Sequence, residues 1–501
     1  MKTSRAGLLA IAVAAIGSVA AGRAAQTFTY EPSSEMPPNP MREMRAAWVA
    51  TVANIDWPST NNLSTARQKA ELVAIFDRAA HLKLNTIIFQ VRPTCDALYA
   101  SSIEPWSEYL TGTMGKPPEP FYDPLTFAIE EAHKRGLELH AWFNPYRARQ
   151  ALAKSPIAPN HVSRTHPQMV RQYGKSLWLD PGEKEVQAYS LRVVMDVVRR
   201  YDIDGVHFDD YFYPYKEQDA SGKELDFPDG ASWRKYGQGG KLNREDWRRE
   251  NVDSFIHAVY QSIKAAKPWV KFGISPFGIW RPHNPPQIQG FDPYEKLYAD
   301  SRKWLMNGWV DYFAPQLYWG IEPPEQSFPV LLRWWAGQNT KGRLLAPGLD
   351  TTKVGRRWKP EEIIEQIRLT RRQPGVGGHV HWDMKALMRN EALDAALERE
   401  VYAQPALVPS MPWLESARPQ KPALTIAPRG GEVQARWGPA TQQKAWLWLL
   451  QTRTGQNWTT RILPGWEVSC ALGQPLPTVI ALRALDRFGN LSEPLVLRRR
   501  N

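Results

Sequence analysis

Short apolar runs recur between residues 45 and 390 and alternate with amphipathic stretches. Eight of these runs have the length and composition of buried strands, and polar or turn-forming residues bound each of them. The predicted strands are RAAWVAT (45–51), TIIFQVRP (86–93), LELHAWFNP (137–145), IDGVHFDD (203–210), VKFGISPFG (270–278), VDYFAPQLYWG (310–320), LLAPGLD (344–350) and GGHVHWDM (377–384).

The stretches between the runs carry apolar residues at helical spacing. The stretch 123–136 opens with Asp123 as an N-cap and Pro124 in the first turn, and it closes with basic residues and Gly136. Four similar stretches predict helices at 65–85, 183–202, 244–268 and 359–374. Eight strands alternating with helices predict an α/β protein with a (β/α)8 TIM-type barrel. An open doubly wound sheet is the alternative, but no Gly-rich phosphate turn follows the first run.

The pattern changes after residue 400. Four prolines between residues 401 and 421 break any helix, which predicts a Pro-rich linker that follows a barrel domain at 40–400. Short alternating strands with closely spaced turn signals follow, and they predict an all-β, fibronectin-III-like sandwich at 422–501. We therefore expect the barrel to fold independently and a truncation after Val401 to stay soluble.

The first 25 residues have the pattern of a signal peptide. Lys2 and Arg5 precede an apolar run from Leu8 to Ala21, and small residues follow it. The run is shorter than a membrane span. We expect a mature protein that begins between Ala21 and Thr27 and is periplasmic or secreted.

Composition narrows the class of function. The chain carries a net charge of +12 without a long basic tract, which favours an acidic polymer or the cell envelope over nucleic acid as a partner. Tryptophan is abundant at 22 residues, and flat apolar rings that stack on sugar faces are one reason for such a number. Cys95 and Cys470 fall in different predicted domains, so we expect two free thiols.

The predicted strand ends carry the candidate chemistry, because a (β/α)8 barrel holds its active site at the C-terminal ends of its strands. The fourth strand ends in Asp209 and Asp210. Two adjacent carboxylates at the mouth of an apolar strand are costly unless they are paired or used. Glycoside hydrolysis uses such acids, one of which protonates the leaving oxygen. We predict Asp209 and Asp210 as catalytic residues, with Asp350 as a further carboxylate and Asp383 as its alternative.

Polar and aromatic side chains at the other strand ends are predicted to bind substrate. Amides and arginines would hold hydroxyl, acetamido or carboxylate groups, and aromatic rings would grip the sugar faces. The predicted substrate-binding residues are Arg92, Asn144, Arg147, Tyr213, Gln316, Tyr318, Trp319, Trp382 and Asp383. The leading hypothesis involves no metal and no other cofactor.

Seven ordered blocks of the sequence resemble a known family over about residues 40–400. The blocks are MREMRAAWVATVANIDWPS, NTIIFQVRPTCDALY, LHAWFNPYR, DGVHFDDYFYP, FGISPFGIWR, PQLYWG and GGHVHWDM. Together they resemble the bacterial glycosyl-hydrolase-like family ten. The resemblance implies a TIM-type barrel that hydrolyses glycan strands, with peptidoglycan that lacks stem peptides as substrate and envelope or cell-division proteins as partners.

The fourth predicted strand also resembles, more distantly, the corresponding strand of chitinases. Asp204 and Asp209 match the first and third acids of the chitinase pattern, whereas His207 replaces the second. Tyr211 stands where chitinases have their acid, and a tyrosine with its usual pKa of about 10 does not perform that proton transfer readily. Asp210 is therefore the replacement acid that this resemblance implies.

Two other classes of function stay open. A metal-dependent hydrolase or deacetylase would use His207 and Asp209 together with His379 and His381, which share one side of the last predicted strand. A barrel that binds glycan without cleaving it is the second alternative.

Overall fold

The computed structural model of the protein describes residues 29–429, 432–442 and 444–500. The predicted signal peptide and its expected cleavage region lie outside these residues. Within the described ranges, none of the helices has the length and apolar character needed to cross a membrane.

Eight parallel strands form the barrel, which confirms the predicted fold class. They are β1 (Met44–Val49), β2 (Thr86–Arg92), β3 (Glu138–Phe143), β4 (Gly205–Phe208), β5 (Lys271–Ile274), β6 (Tyr312–Phe313), β7 (Leu344–Leu345 and Gly348–Asp350) and β8 (Gly378–Trp382). Strands β1 to β6 pair in sequence order, and β1 also pairs with β8. The first part of β7 pairs with β6 and its second part pairs with β8, so β7 joins the two edges of the sheet.

The five predicted helices are present. They are Thr65–His81, Pro124–Lys134, Lys184–Arg200, Arg244–Ala266 and Pro360–Arg372. Asp123 caps the second of them as predicted, because its carboxylate accepts a hydrogen bond of 3.0 Å from the backbone N–H of Thr126. Other described helices were not predicted, most of them too short to show a clear period: Glu108–Thr111, Val162–Thr165, Gly230–Ser232, Pro293–Lys296, Ser301–Asn307, Phe328–Gln338, Met384–Arg389 and Glu391–Glu400.

The inside of the barrel is filled by side chains that alternate along the strands. Val380 and the tryptophans of β1 and β3 point inward, whereas their chain neighbours pack against the surrounding helices. Large aromatic rings dominate the upper part of this interior: Trp48, Trp142, Tyr312, Tyr318 and Trp382. These rings form the base on which the candidate site is built.

The C-terminal region consists of two antiparallel sheets, as predicted for an all-β region. One sheet has the strand order Tyr30–Pro32, Leu495–Arg499, Val479–Leu485, Leu447–Thr454 and Asn457–Pro464, and the other has Ala423–Arg429, Glu432–Gly438 and Ser469–Ala471. The two sheets share an apolar core that contains Trp437, Trp448 and Leu482. Its first strand comes from the start of the described chain, which the sequence did not predict. The likeness to fibronectin III stays a prediction.

Part of the segment 401–421, which the sequence predicts to be a linker, packs closely against the barrel. A short strand, Ala406–Leu407, pairs with Met41–Arg42 just before β1. Met411 joins the apolar interior of the barrel, and the Trp413 indole N–H donates a hydrogen bond of 3.0 Å to Asp311. The prolines end helices here but do not prevent burial. The segment closes the N-terminal end of the barrel, which argues against the expectation that the barrel folds without it.

Candidate active site

A cleft of about 310 Å³ lies at the C-terminal end of the barrel. This volume is at the lower end of the range that is typical of small-molecule sites. Residues from seven of the eight strands or the loops that follow them line the cleft. They are Trp48, Val52, Ile55, Gln90, Trp142, Arg147, Gln150, Asp209, Asp210, Tyr211, Tyr215, Ser275, Phe277, Gln316, Tyr318 and Trp382.

Asp209 is the more tightly held of the two adjacent acids. Its carboxylate accepts hydrogen bonds from the Trp142 indole N–H (3.1 Å), the Asn144 amide (3.3 Å) and the backbone N–H of Tyr211 (3.3 Å). Burial raises its pKa to about 6, although the charge of Arg147 opposes this rise. Asp209 is therefore a fixed carboxylate that changes protonation state near neutral pH.

Asp210 lies next to it and is held by fewer groups. The Tyr215 hydroxyl donates a hydrogen bond to its Oδ2 atom. Burial raises the pKa of Asp210, while hydrogen bonds from Tyr215 and Gln316 lower it in part. A carboxyl with a raised pKa retains its proton at a higher pH than usual, which is the property that a general acid needs.

Arg147 is the cation that acts on this pair: its charge lowers the pKa of both acids. Its guanidinium lies over the ring of Tyr211, 4.9 Å from the ring centre, and its Nε atom donates to the carbonyl of Pro93 (3.2 Å). Arg147 is 6% exposed and lines the cleft. It is therefore placed to meet both the acids and a substrate.

Three tryptophans enclose the cleft. The ring of Trp382 lies 6.1 Å from that of Trp48 and 6.3 Å from that of Trp142, and all three face the cleft. Tyr318 meets Trp48 edge-on at 6.5 Å. Such an enclosure offers apolar ring faces around two carboxyl groups, an arrangement suited to a sugar.

Two amides complete the lining. Gln90 uses its Oε1 atom to accept hydrogen bonds from the backbone N–H groups of Thr51 (3.0 Å) and Val52 (2.8 Å). Among the described residues, its Nε2 group has no hydrogen-bond partner. Gln316 donates to the carbonyl of Ser275 at 2.9 Å and lies close enough to Asp210 to influence its pKa.

Arg92, a predicted substrate-binding residue, does not line the cleft. It is 1% exposed, and its guanidinium donates to both oxygens of Glu104 (2.8 and 2.6 Å) and to the carbonyl of Asn144 (2.7 Å). It also contacts the free thiol of Cys95 at 3.2 Å. A guanidinium with this set of partners supports the loop after β2 and has little capacity left for a ligand.

Asp350 and Asp383, the predicted further carboxylates, also lie outside the cleft lining. Asp350 accepts a hydrogen bond from Thr352 (2.6 Å) and pairs with Lys353 (3.3 Å). Asp383 caps the helix Met384–Arg389 by accepting from the backbone N–H of Ala386 (2.9 Å). Burial and the charges of both carboxylates raise the pKa of Tyr318, which lines the cleft. Asp350 and Asp383 therefore lie near the site without lining it.

Three other predicted residues take supporting positions. Asn144 is fully buried and orients Asp209 from beneath. Tyr213 is 1% exposed and packs against Phe227 and Tyr298, away from the cleft. Trp319 packs against Phe277 at 5.6 Å, behind the wall of the cleft. Arg147, Gln316, Tyr318 and Trp382 are the predicted binding residues that do line it.

The histidines of the metal hypothesis are separated by the sheet. His207 faces the barrel interior, where it accepts a hydrogen bond from the Trp48 indole N–H (3.1 Å). His379 and His381 lie on the other face, and both contact the hydroxyl of Tyr402. Burial holds the pKa of all three well below the usual value. Within the described residues, no group of three or more histidine, cysteine, aspartate or glutamate side chains is arranged to hold a metal.

Sequence reasoning missed several lining residues. Trp48, Trp142 and Ile55 belong to apolar runs or follow them, and in the sequence they cannot be told from core residues. Tyr215 was not predicted as a site residue, although its hydroxyl donates a hydrogen bond to Asp210. The alternation along β1 and β3 places the two tryptophans on the inward face of the barrel, but it does not show that they reach the cleft.

The fold and the site define the class of protein. An eight-stranded parallel barrel with two buried acids and a ring of tryptophans at its C-terminal end is the architecture of a (β/α)8 glycoside hydrolase. The family model of Glycosyl hydrolase-like 10 matches residues 43–363, and the chain belongs to this family.

Relatives with curated names agree with this assignment. The chain is 44% identical over 419 residues to the glycosyl hydrolase YngK of Bacillus subtilis (strain 168), covering 80% of this chain and 81% of the relative. It is 38% identical over 391 residues to the glycosyl hydrolase DigH of Escherichia coli (strain K12), covering 71% of this chain and 87% of the relative.

A solved structure, the glycoside hydrolase domain of PgaB (BpsB) from Bordetella bronchiseptica, is similar at 13% identity and a TM-score of 0.47, covering 72% of this chain and 99% of that one. The assignment rests on the sequence family and not on this likeness.

Proposed function

We propose that the protein is an exported glycoside hydrolase that cleaves cell-wall glycan strands, with peptidoglycan bearing few or no stem peptides as its substrate. The observation that carries this proposal is the pair Asp209 and Asp210, two buried acids with raised pKa values in a tryptophan-lined cleft. Family membership supports the reaction class. The substrate and the export are part of the proposal.

In this proposal the two acids have different roles. Asp210, which is held by fewer groups, gives a proton to the glycosidic oxygen as the bond to the anomeric carbon breaks. Asp209 is held by three donors, which favour its ionised form, so it is suited to stabilise positive charge or to orient a polar group of the sugar. Arg147 and Gln316 hold the substrate beside them.

The residues that face Asp209 and Asp210 across the cleft indicate where the nucleophile comes from. Among the described residues that line the cleft, Asp209 and Asp210 are the only acids, and they are neighbours on one strand. The facing wall is formed by Trp48, Ile55 and Trp382. The acetamido oxygen of an N-acetylated amino sugar would then attack its own anomeric carbon while Asp210 protonates the leaving oxygen, and water would later open the cyclic intermediate.

Location follows from the predicted signal peptide and the surface charge. A protein that carries +12 net charge is drawn to an acidic envelope polymer, although salt screens this attraction. We propose that the mature protein acts in the periplasm or outside the cell, where it contacts cell-wall glycan and envelope or cell-division proteins. N-terminal sequencing of the exported form tests the cleavage between Ala21 and Thr27.

Product analysis on purified glycan strands tests the reaction. Strands with and without stem peptides are incubated with the mature protein, and the products are separated by chromatography and identified by mass. We expect new reducing ends and short oligosaccharides, formed faster from strands without peptides. Binding without products would favour the non-catalytic barrel, and activity that a chelator removes and a metal restores would favour the metal-dependent alternative.

A further inference from the structure

A second cleft lies where the linker segment meets the β-sheets, at the opposite end of the barrel from the candidate active site. Its volume is about 640 Å³. Three arginines border it, each from a different part of the chain: Arg42 before β1, Arg418 in the segment 401–421, and Arg483 in the strand Val479–Leu485. Nothing in the proposed hydrolysis uses this cleft.

Arg483 is the unusual residue of this cleft. Its side chain is 7% exposed, and its Nε atom is buried without a hydrogen-bond partner. Within the described part of the chain, its guanidinium takes part in no ion pair and in no hydrogen bond. A buried charge without a partner is costly in free energy, so proteins seldom keep one unless something binds it.

The surroundings of Arg483 do not neutralise it. Glu493 attracts it but forms an exposed ion pair with Arg418 at the rim, and the charge of Arg418 in turn repels Arg483. Burial together with this repulsion lowers the pKa of Arg483. Asp486 accepts hydrogen bonds from the backbone N–H groups of Phe488 (2.9 Å) and Asn490 (2.8 Å), so it serves a turn.

Arg42 adds a second desolvated cation. One of its nitrogens donates to the carbonyls of Val408 (2.9 Å) and Gly489 (2.8 Å), which fixes the guanidinium at the base of the cleft. Burial lowers the pKa of Arg42 to about 10; the charge of Asp486 opposes this shift, and the charge of Arg483 adds to it. The cleft therefore presents one buried and one half-buried arginine, and Ser410, Ser416 and Ser492 also line it.

We propose that this cleft binds an oxyanion, the carboxylate or phosphate group of an acidic ligand, with Arg483 as its principal partner and Arg42 as the second. Guanidinium groups match the geometry of both anions through paired N–H donors. The cleft and the candidate active site lie at opposite ends of the barrel. The anion bound in the cleft is therefore not part of the substrate segment that is cleaved, and the cleft is an additional binding site.

Calorimetric titration of the full mature chain tests the proposal, with inorganic phosphate and glucuronate as probes at constant ionic strength and sodium chloride as the reference salt. We expect saturable one-site binding of at least one probe, and the stronger probe identifies the anion class. Arg483→Gln removes the principal partner of the anion and should weaken binding at least about tenfold, which corresponds to about 1.4 kcal/mol. Arg436→Gln, at an exposed arginine of the strand Glu432–Gly438, should bind like the parent and is the matched control.

A second variant keeps the test independent of any folding defect. Arg483→Met removes the unpartnered charge and keeps apolar volume, so it should raise the melting temperature of the free protein and abolish the increase that the anion produces. The proposal is overturned if neither anion binds saturably to the parent, or if Arg483→Gln or Arg483→Met binds as tightly as the Arg436→Gln control.

Discussion

The two ends of the barrel hold buried acids in opposite electrostatic surroundings. At the N-terminal end, Glu138 lies 2.7 Å from the ammonium of Lys271, and Asp204 lies 2.8 Å from His133. At the C-terminal end, Asp209 and Asp210 accept hydrogen bonds from an indole, an amide and a phenol. Burial raises the pKa of an acid at either end, so the neighbouring groups decide the outcome.

The pKa values follow this difference. Although burial opposes ionisation, His133 and Arg487 hold the pKa of Asp204 at about 2. Burial also opposes the ionisation of Glu138, but Lys271 keeps its pKa below the usual value. At the other end, burial prevails, and the pKa of Asp209 rises to about 6. Glu138 and Asp204 stay ionised because cations lie in direct contact with them, whereas the hydrogen bonds to Asp209 and Asp210 come from neutral donors and the charge of Arg147 offsets burial only in part.

Removing the chain after Val401, and with it the segment that closes the N-terminal end of the barrel, should have the largest effect on folding. A chain that stops at Val401 loses Met411 from the barrel interior and Trp413 from Asp311, and it exposes apolar surface that both now cover. We expect little soluble folded protein from this truncation. A matched chain that stops at residue 421 retains the cover and should be the more soluble of the two in an expression and sedimentation assay. Equal solubility would restore the independent barrel that the sequence predicted.

The substitution Asp204→Asn should separate stability from activity. It removes the charge that pairs with His133 and Arg487, so we expect the free energy of unfolding to fall by about 3 kcal/mol at neutral pH. Because the folded-state pKa is depressed, this contribution is present above about pH 4 and is lost as the pH falls towards 2. Urea unfolding at several pH values measures it, and the turnover of the folded variant should match the parent.

The substitution Asp209→Asn should show the opposite dependence on pH. Between about pH 4 and pH 6 the folded parent retains a proton that the unfolded chain has lost, so the stability of the parent falls through this window and is level above it. The variant has no such proton. Its stability relative to the parent should therefore rise by about 2 kcal/mol between pH 4 and pH 7. A difference that stays constant with pH would show that burial does not raise this pKa.

The substitution Trp382→Ala should weaken substrate binding with a small effect on stability. Trp382 is partly exposed in the cleft, so its loss removes a ring face and leaves an open space. We expect binding of glycan fragments to weaken about tenfold, which corresponds to about 1.4 kcal/mol. Tyr213→Ala is the contrasting variant. Because Tyr213 is fully buried away from the cleft, this substitution should lower the melting temperature. Normal affinity with a large loss of stability in Trp382→Ala would assign this ring to the core.

The parts of the site that follow from local pattern could be predicted from the sequence. Asp209 and Asp210 are recognisable because two acids end an apolar strand. Arg92 also ends an apolar strand, which led to its prediction as a substrate-binding residue. In the structure Glu104, twelve residues later, folds back to pair with it, and no local sequence pattern predicts that contact. Trp48 and Trp142 face the cleft because of their height inside the barrel, which depends on how all eight strands are staggered.

The fold shows the same division. Most strands and five helices of the barrel follow from periodicity to within a few residues, but β6 ends at Phe313 instead of residue 320, and the helix Phe328–Gln338 was not predicted. The pairing of Tyr30–Pro32 with Leu495–Arg499 joins the two extremes of the described chain, and three residues carry too little pattern to reveal it. The burial of Met411 and Trp413 against the barrel is likewise a long-range contact in a segment whose prolines suggested a free linker.

The most direct test of the account compares the same chemical change at the two ends of the barrel. Turnover on purified peptide-free glycan strands is measured for Asp210→Asn and Asp209→Asn, with Asp204→Asn as the control at the N-terminal end. We expect each of the first two variants to fold and to lose at least about a hundredfold in rate, the usual scale for a missing acid or base. Asp204→Asn should keep near-normal turnover per folded molecule. Near-normal turnover in both cleft variants would contradict the central claim and make the pair at the end of β4 structural.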